Sequence, residues 1–185
     1  MKTIVINLFG GPGAGKSTLA SELYVLMKRQ GLSVELVREY AKDWAYQDKH
    51  IDTLMKQTYI LAKQAQRESS LYWKVKYIIT DCPMALSGFY AQKYLGTPAM
   101  SVLMLEFLRE AERADIKHVY FQVPRKKEYN PNGRYENEAD AIAIDQEQAT
   151  YFGNFFNPIK LEGPDNELAL QIYHTLRIQE QCTQC

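Results

Sequence analysis

The sequence predicts one α/β domain of three layers, a five-stranded parallel sheet held between two layers of helices. Three observations carry that prediction. Strand-like and helix-like segments alternate along the chain, which is the pattern of parallel βαβ units. The first strand, Lys2–Phe9, is a nearly continuous β-branched and apolar run, as a strand buried on both faces requires. The 185 residues show no internal repeat, low-complexity tract or linker, so residues 1–185 read as a single domain at ~100–200 residues each.

The elements follow in order. After the first strand, Thr18–Gln30 reads as a helix with Leu19, Leu23, Leu26 and Met27 on one face, and Gly31 ends it. Ser33–Arg38 is a second strand. Glu39–Gln47 and Ile51–Lys74 read as helices, the latter placing Ile51, Leu54, Met55, Tyr59 and Ala62 on one side. Val75–Thr80 is a third strand, closed by Asp81. Ala85–Leu95 is helical up to Gly96, and Pro98 opens a helix that runs to about Ala114. Ile116–Val123 is a fourth strand. Pro124–Glu136, polar and containing Pro131, Asn132 and Gly133, reads as a loop. Asn137–Phe152 is a helix, Asn157–Glu162 a short fifth strand, and Asp165–Gln179 the last helix.

Composition narrows the function. Lys plus Arg and Asp plus Glu are both 22, so the chain lacks the net positive charge of a dedicated nucleic-acid or anionic-membrane binder. No apolar run approaches the ~18 residues of a membrane span, and the N-terminus has no signal h-region. Cys82, Cys182 and Cys185 do not form a disulfide framework, which fits a reducing, cytoplasmic compartment. Cys182 and Cys185 read as a frayed tail. Tyr stands out at 13, against 7 Phe and 2 Trp.

Gly10, Gly11, Pro12, Gly13, Ala14, Gly15, Lys16, Ser17 and Thr18 satisfy G-x-x-x-x-G-K-[ST] between a strand and a helix, the context that makes the motif credible. Glycines let backbone N–H groups and a helix N-terminus wrap a phosphate. Lys16 is expected to bridge the β- and γ-phosphates of ATP, and the Ser17 hydroxyl to hold Mg²⁺. Asp81, delivered at the carboxyl end of an apolar strand on the same sheet edge, is a second magnesium candidate. Glu39, at the end of the second strand, can orient an acceptor hydroxyl and take its proton. Arg125, Lys126, Lys127 and Arg134 fall in a loop that could close over phosphates, with Arg134 and then Arg125 as candidates to neutralise the transferring group. Gln57 and Gln64 carry amides that could read a base edge. Phe89, Tyr90 and Tyr94 read as core, and His50, His118 and His174 show no ligand spacing.

The series Gly10–Thr18, Glu39-Tyr40-Ala41-Lys42-Asp43, Thr80-Asp81-Cys82-Pro83 and Tyr94-Leu95-Gly96 resembles P-loop kinases grouped with the ribosylnicotinamide kinase domain of the bacterial NAD-biosynthesis regulator. Tyr129–Arg134 with Glu138-Ala139 and Ile144-Asp145 looks like small phage-encoded relatives. The resemblance covers nearly the whole chain. It implies a P-loop NTPase fold with strand order 2-3-1-4-5 and an arginine-bearing lid at about 124–136. It also implies roles for single residues: Lys16 and Ser17 on phosphate and magnesium, Glu39 on the acceptor hydroxyl, Gln57 on the substrate base, and Arg134 in the lid. Gly163-Pro164-Asp165 falls where related kinases pass the adenine ring. One departure is Cys82-Pro83 after Asp81, where deoxynucleoside kinases usually carry an acidic residue followed by Arg; the lid also lacks a dense arginine series.

The leading expectation is therefore a Mg²⁺–ATP phosphotransferase acting on a nucleoside, nucleotide or related ribosyl compound. A second keeps the chemistry and moves the acceptor to a hydroxymethylated pyrimidine within DNA. A third is a nucleotide switch or mechanochemical ATPase, against which stand the missing N-K-x-D motif and the lack of length for a C-terminal helical domain. A homodimer is compatible with the sequence; a membrane partner is not expected.

Overall fold

A computed structural model describes residues 2–126 and 136–183, and the side chains up to residue 178. Lys127, Arg134 and the rest of the predicted lid between 127 and 135 lie outside the described residues, as does Cys185. The elements are β1 (Thr3–Phe9), α1 (Lys16–Arg29), β2 (Val34–Val37), α2 (Ala41–Ala45), α3 (Leu54–Ser69), β3 (Tyr77–Thr80), α4 (Ala85–Leu95), α5 (Ala99–Arg113), β4 (Ile116–Gln122), α6 (Glu138–Phe155), β5 (Ile159–Lys160) and α7 (Asp165–Thr183). The five strands are all parallel, in the order β2-β3-β1-β4-β5. This is the expected P-loop kinase-like architecture.

β1 sits at the centre because its sequence can be buried on both sides. Side chains alternate across a strand, so Ile6 and Leu8 enter the layer with α1 and α7, while Val5 and Phe9 face the layer built by α3 to α6. On that second side the core is largely aromatic. Phe9 stacks on Phe152 at 4.0 Å between ring centres, and Tyr120 on Phe156 at 4.1 Å. Among the described tyrosines, Tyr72, Tyr90, Tyr120 and Tyr151 pack into this side.

Several boundaries differ from those predicted, each with a local cause. The third helix begins at Leu54 because extended Thr53 caps it, its hydroxyl accepting Lys56 N at 3.3 Å. It stops at Ser69, short of Lys74. The chain then turns so that Trp73, in the left-handed region at φ 58, donates its N–H to Thr3 Oγ1 and its Nε1 to Ala114 O. The helix after β2 shrinks to Ala41–Ala45, and α6 extends to Phe155, beyond Phe152. The N-terminus of α6 is capped by the Asn137 side chain, which accepts Asp140 N at 2.9 Å. No helix among the described residues is long and apolar enough to cross a membrane.

Candidate functional site

The parallel order brings the carboxyl ends of β1, β2, β3 and β4 to one edge, where the loops after them converge. The glycine loop leaves β1 there and enters α1. Gly15 precedes the helix at φ 92, a conformation that suits glycine. No side chain caps α1, and no acidic residue lies in its first turn. That helix N-terminus therefore keeps the positive potential that attracts phosphate. Lys16 folds back over the loop, its ammonium donating to Gly10 O at 2.7 Å and Gly11 O at 3.0 Å. Ser17 and Thr18 are exposed at the start of the helix.

The acidic part of the site is tied together across strands. Asp81, 5% exposed, accepts the backbone N–H of Glu39 at 3.0 Å, so the carboxylate after β3 fixes the turn after β2. Gln64 adds a second tie: its Oε1 accepts Tyr40 N at 3.1 Å and its Nε2 donates to Thr80 Oγ1 at 3.3 Å. Cys82 lies among these charges. Burial lifts its thiol well above the usual range, Glu39 and Asp81 add to the lift and Lys16 opposes it, so it stays a neutral thiol. Burial also raises the Tyr90 hydroxyl, with Glu136 and Glu39 contributing.

Ser17 and Asp81 offer hydroxyl and carboxylate oxygens, the hard donors Mg²⁺ takes. Among the described residues no cluster of three or more His, Cys, Asp or Glu could hold a metal by itself. Two protein oxygens fit Mg²⁺ all the same, because that ion usually completes its shell with waters and substrate phosphates.

Arg125 and Gln57 take placements that the sequence did not foresee. Arg125 is turned into the back of the glycine loop instead of over it. Its Nε pairs with Asp145 Oδ2 at 2.6 Å, and its Nη2 donates to Pro12 O at 2.7 Å and Ala141 O at 3.1 Å. Three of its hydrogen bonds are thus spent on protein, which makes it a wall of the phosphate loop. Gln57 is 5% exposed and its amide donates to Ser87 O at 3.3 Å, so here it ties α3 to α4. Gln64 is buried too, as the tie described above. Lys126 and Asp165 meet at 3.8 Å, which brings the turn after β5 to the end of β4. Phe89 is buried as expected, whereas Tyr94 is 53% exposed.

Asp145 entered the sequence reading only as part of a resemblance, with no role assigned to it. Its Oδ1 accepts Gly11 N at 2.5 Å while its Oδ2 holds Arg125. The signal was available: Asp145 lies beside the buried stripe of Ala141, Ile144, Gln148 and Phe152 on α6, where an acidic residue needs a partner.

Comparison with known proteins agrees with this fold. The family model described as an AAA domain matches residues 5–153. No curated protein matches the chain in sequence. Among solved structures, the APS kinase of Mycobacterium tuberculosis in complex with AMPPNP and APS is similar at TM-score 0.55 and 11% identity, covering 95% of this chain and 98% of that one. The deoxyadenosine kinase of M. mycoides, with dCMP and dCDP bound, gives TM-score 0.58 and 13% identity, covering 94% and 98%. The NadR protein in complex with NR gives TM-score 0.64 and 17% identity; the match covers 87% of this chain but 46% of NadR.

Proposed function

The chain belongs to the AAA domain family, and from that premise we propose that it is a Mg²⁺–ATP-dependent phosphotransferase whose acceptor is a nucleoside, a nucleotide or a related ribosyl compound. The observation that carries the reading is the bond from Glu39 N to Asp81. That bond holds the backbone at Glu39 against Asp81, so two acidic residues stand together at the sheet edge where the glycine loop leaves β1, and one of them can take the proton of an acceptor hydroxyl. The fold neighbours support the same class, being kinases or proteins solved with a nucleotide or NR.

In this reading the loop N–H groups and Lys16 bind the ATP phosphates. Lys16 leaves the carbonyls of Gly10 and Gly11 for the β- and γ-phosphates when ATP enters. Ser17 and Asp81 would hold Mg²⁺, which when bound offsets charge on the phosphates. Glu39 accepts a hydrogen bond from the acceptor hydroxyl, aligns its oxygen and takes the proton as the phosphoryl group transfers. Arg125 and Asp145 hold the loop in shape. Arg134 is assigned the neutralisation of the transferring phosphoryl group.

Labelled ATP with a panel of nucleosides and nucleotides tests this. Acceptor-dependent ADP formation is expected, and Glu39→Gln should lower kcat by about 10²–10⁴-fold with ATP affinity nearly unchanged. ATP turnover that needs no acceptor and survives Glu39→Gln would overturn the proposal in favour of a switch.

A further inference from the structure

Next to Glu39 the surface is aromatic and basic. A cleft of about 500 Å³, open to solvent, is lined by Tyr40, Trp44, Tyr46 and Tyr59 with Asp43 and Lys49. Tyr59 is the hub, with ring centres 5.9 Å from Tyr40 and 5.7 Å from Trp44. Each ring carries a cation over its face: Arg67 over Tyr40 at 4.6 Å, Lys49 over Trp44 at 5.7 Å, Lys63 over Tyr59 at 5.9 Å and Lys42 over Tyr46 at 6.0 Å. Arg67 also pairs with Asp43 at 3.2 Å, and the two line a second cleft of about 460 Å³ along the free edge of β2. Burial does not explain these rings, since Tyr46 is 65% and Tyr59 44% exposed.

We propose that this surface is a stacking platform for single-stranded nucleic acid, and that the phosphoryl acceptor is a nucleotide unit of that strand. A pocket for a free nucleoside would bury roughly 70–90% of its ligand. A row of half-exposed rings interleaved with cations suits successive bases instead, each stacking on a ring while its phosphates meet ammonium or guanidinium groups. Four cations suffice for a short single strand. Duplex binding usually draws on more phosphate contacts than a chain of zero net charge offers. The platform is registered to the chemistry because Tyr40 follows Glu39 directly and its N–H is held by Gln64.

The chemical step rests on the phosphotransferase reading; the binding does not. The free 5′- or 3′-hydroxyl oxygen of the strand's terminal unit, bound beside Glu39, attacks the γ-phosphorus of ATP. The bond from that phosphorus to the β–γ bridging oxygen breaks, ADP leaves with the electron pair, and the hydroxyl proton passes to Glu39.

Anisotropy of a labelled oligothymidylate, competed with unlabelled thymidine monophosphate and with duplex DNA, tests the platform. The single strand should bind at least about tenfold tighter than either competitor, with log affinity falling against log salt at a slope of about −3 for four cations. Trp44→Ala and Tyr46→Ala should each weaken it roughly 10- to 100-fold and leave Mg²⁺–ATP binding unchanged; exposed Tyr46 serves if the Trp44 variant does not fold. Equal affinity for strand and mononucleotide, preference for duplex, or indifference to both Tyr46→Ala and Lys49→Ala would overturn it. Labelled ATP separates the two readings. Label in the oligonucleotide supports both. Label in free nucleosides alone overturns the polymer acceptor and keeps the kinase. Platform binding with no label transferred to any acceptor keeps the surface and overturns the kinase.

Discussion

Asp145 accepts the Gly11 N–H with one oxygen and the Arg125 Nε with the other, so a single carboxylate on α6 positions both the phosphate loop and the cation behind it. Arg125 and Asp145 are 16% and 22% exposed, too enclosed for water to replace either partner fully. Asp145→Asn keeps the size and loses the charge. It should destabilise the fold by about 1.5–3 kcal/mol in urea titration, the range for a hydrogen bond to a charged group, and raise KM for ATP more than it lowers kcat. A variant as stable as the parent with unchanged KM would show that the loop holds its own shape. The pair also explains what was illegible at this scale. Arg125 reads in sequence as one cation of a basic cluster, Arg125-Lys126-Lys127. Nothing in the spacing says that it is claimed by an acid twenty residues on, because that contact exists only once α6 packs behind the loop.

The packing of α6 against the loop makes Gly11 a steric requirement. A Cβ on Gly11 would lie 2.5 Å from Ala141 O and 2.7 Å from Asp145 Oδ1, both held by the helix and its ion pair. Gly11→Ala should therefore cost about 1–3 kcal/mol, as overpacking does, and lower the melting temperature along with ATP affinity; an unchanged melting temperature would show that α6 can retreat. The elements themselves were largely readable. The central strand and the helix after the glycine loop follow from apolar runs and three- and four-residue spacing. What periodicity could not give was where tertiary bonds cut an element short. The end of α3 is set by Trp73 reaching Thr3 and Ala114, which are remote in sequence. Gln57 and Gln64 look alike on a helical wheel, yet one lies under Ser87 and the other ties Tyr40 to Thr80.

At the scale of the whole molecule, the alternation of elements was enough for a parallel three-layer sheet, whereas the strand order came from the family resemblance. The polar interior between the sheet and α3 was not legible, because His118 stands in an apolar strand and Glu68 in an amphipathic helix, with no motif to join them. They meet at 3.7 Å, nearly or wholly buried, beside Asn7 and Tyr72. Burial pushes Glu68 up to about 7 from 4.5 and His118 down to about 4 from 6.5. Between about pH 4.5 and 7 the folded chain keeps the Glu68 proton that the unfolded chain releases, so Glu68 makes the fold less stable as pH rises, by about 3 kcal/mol in full. Between about pH 6.5 and 4 the unfolded chain takes up a His118 proton that the folded chain refuses, so stability is lost as pH falls, by a similar amount. The tyrosines that face the pair, Tyr72 and Tyr120, are both raised above their ordinary value and stay neutral throughout. The two slopes oppose each other where the windows overlap, so the contribution of the pair should be flat from about pH 4.5 to 6.5. Glu68→Gln removes one slope and keeps the size. Relative to the parent, its stability should gain with rising pH across that window, and at about pH 8 it should be more stable by up to about 3 kcal/mol, less the weakened bond from Tyr72. Urea unfolding of both proteins at several pH values reads the difference directly. Parallel stability curves for parent and variant would mean that Glu68 titrates in the folded chain as it does in water, and that the pair is not sealed.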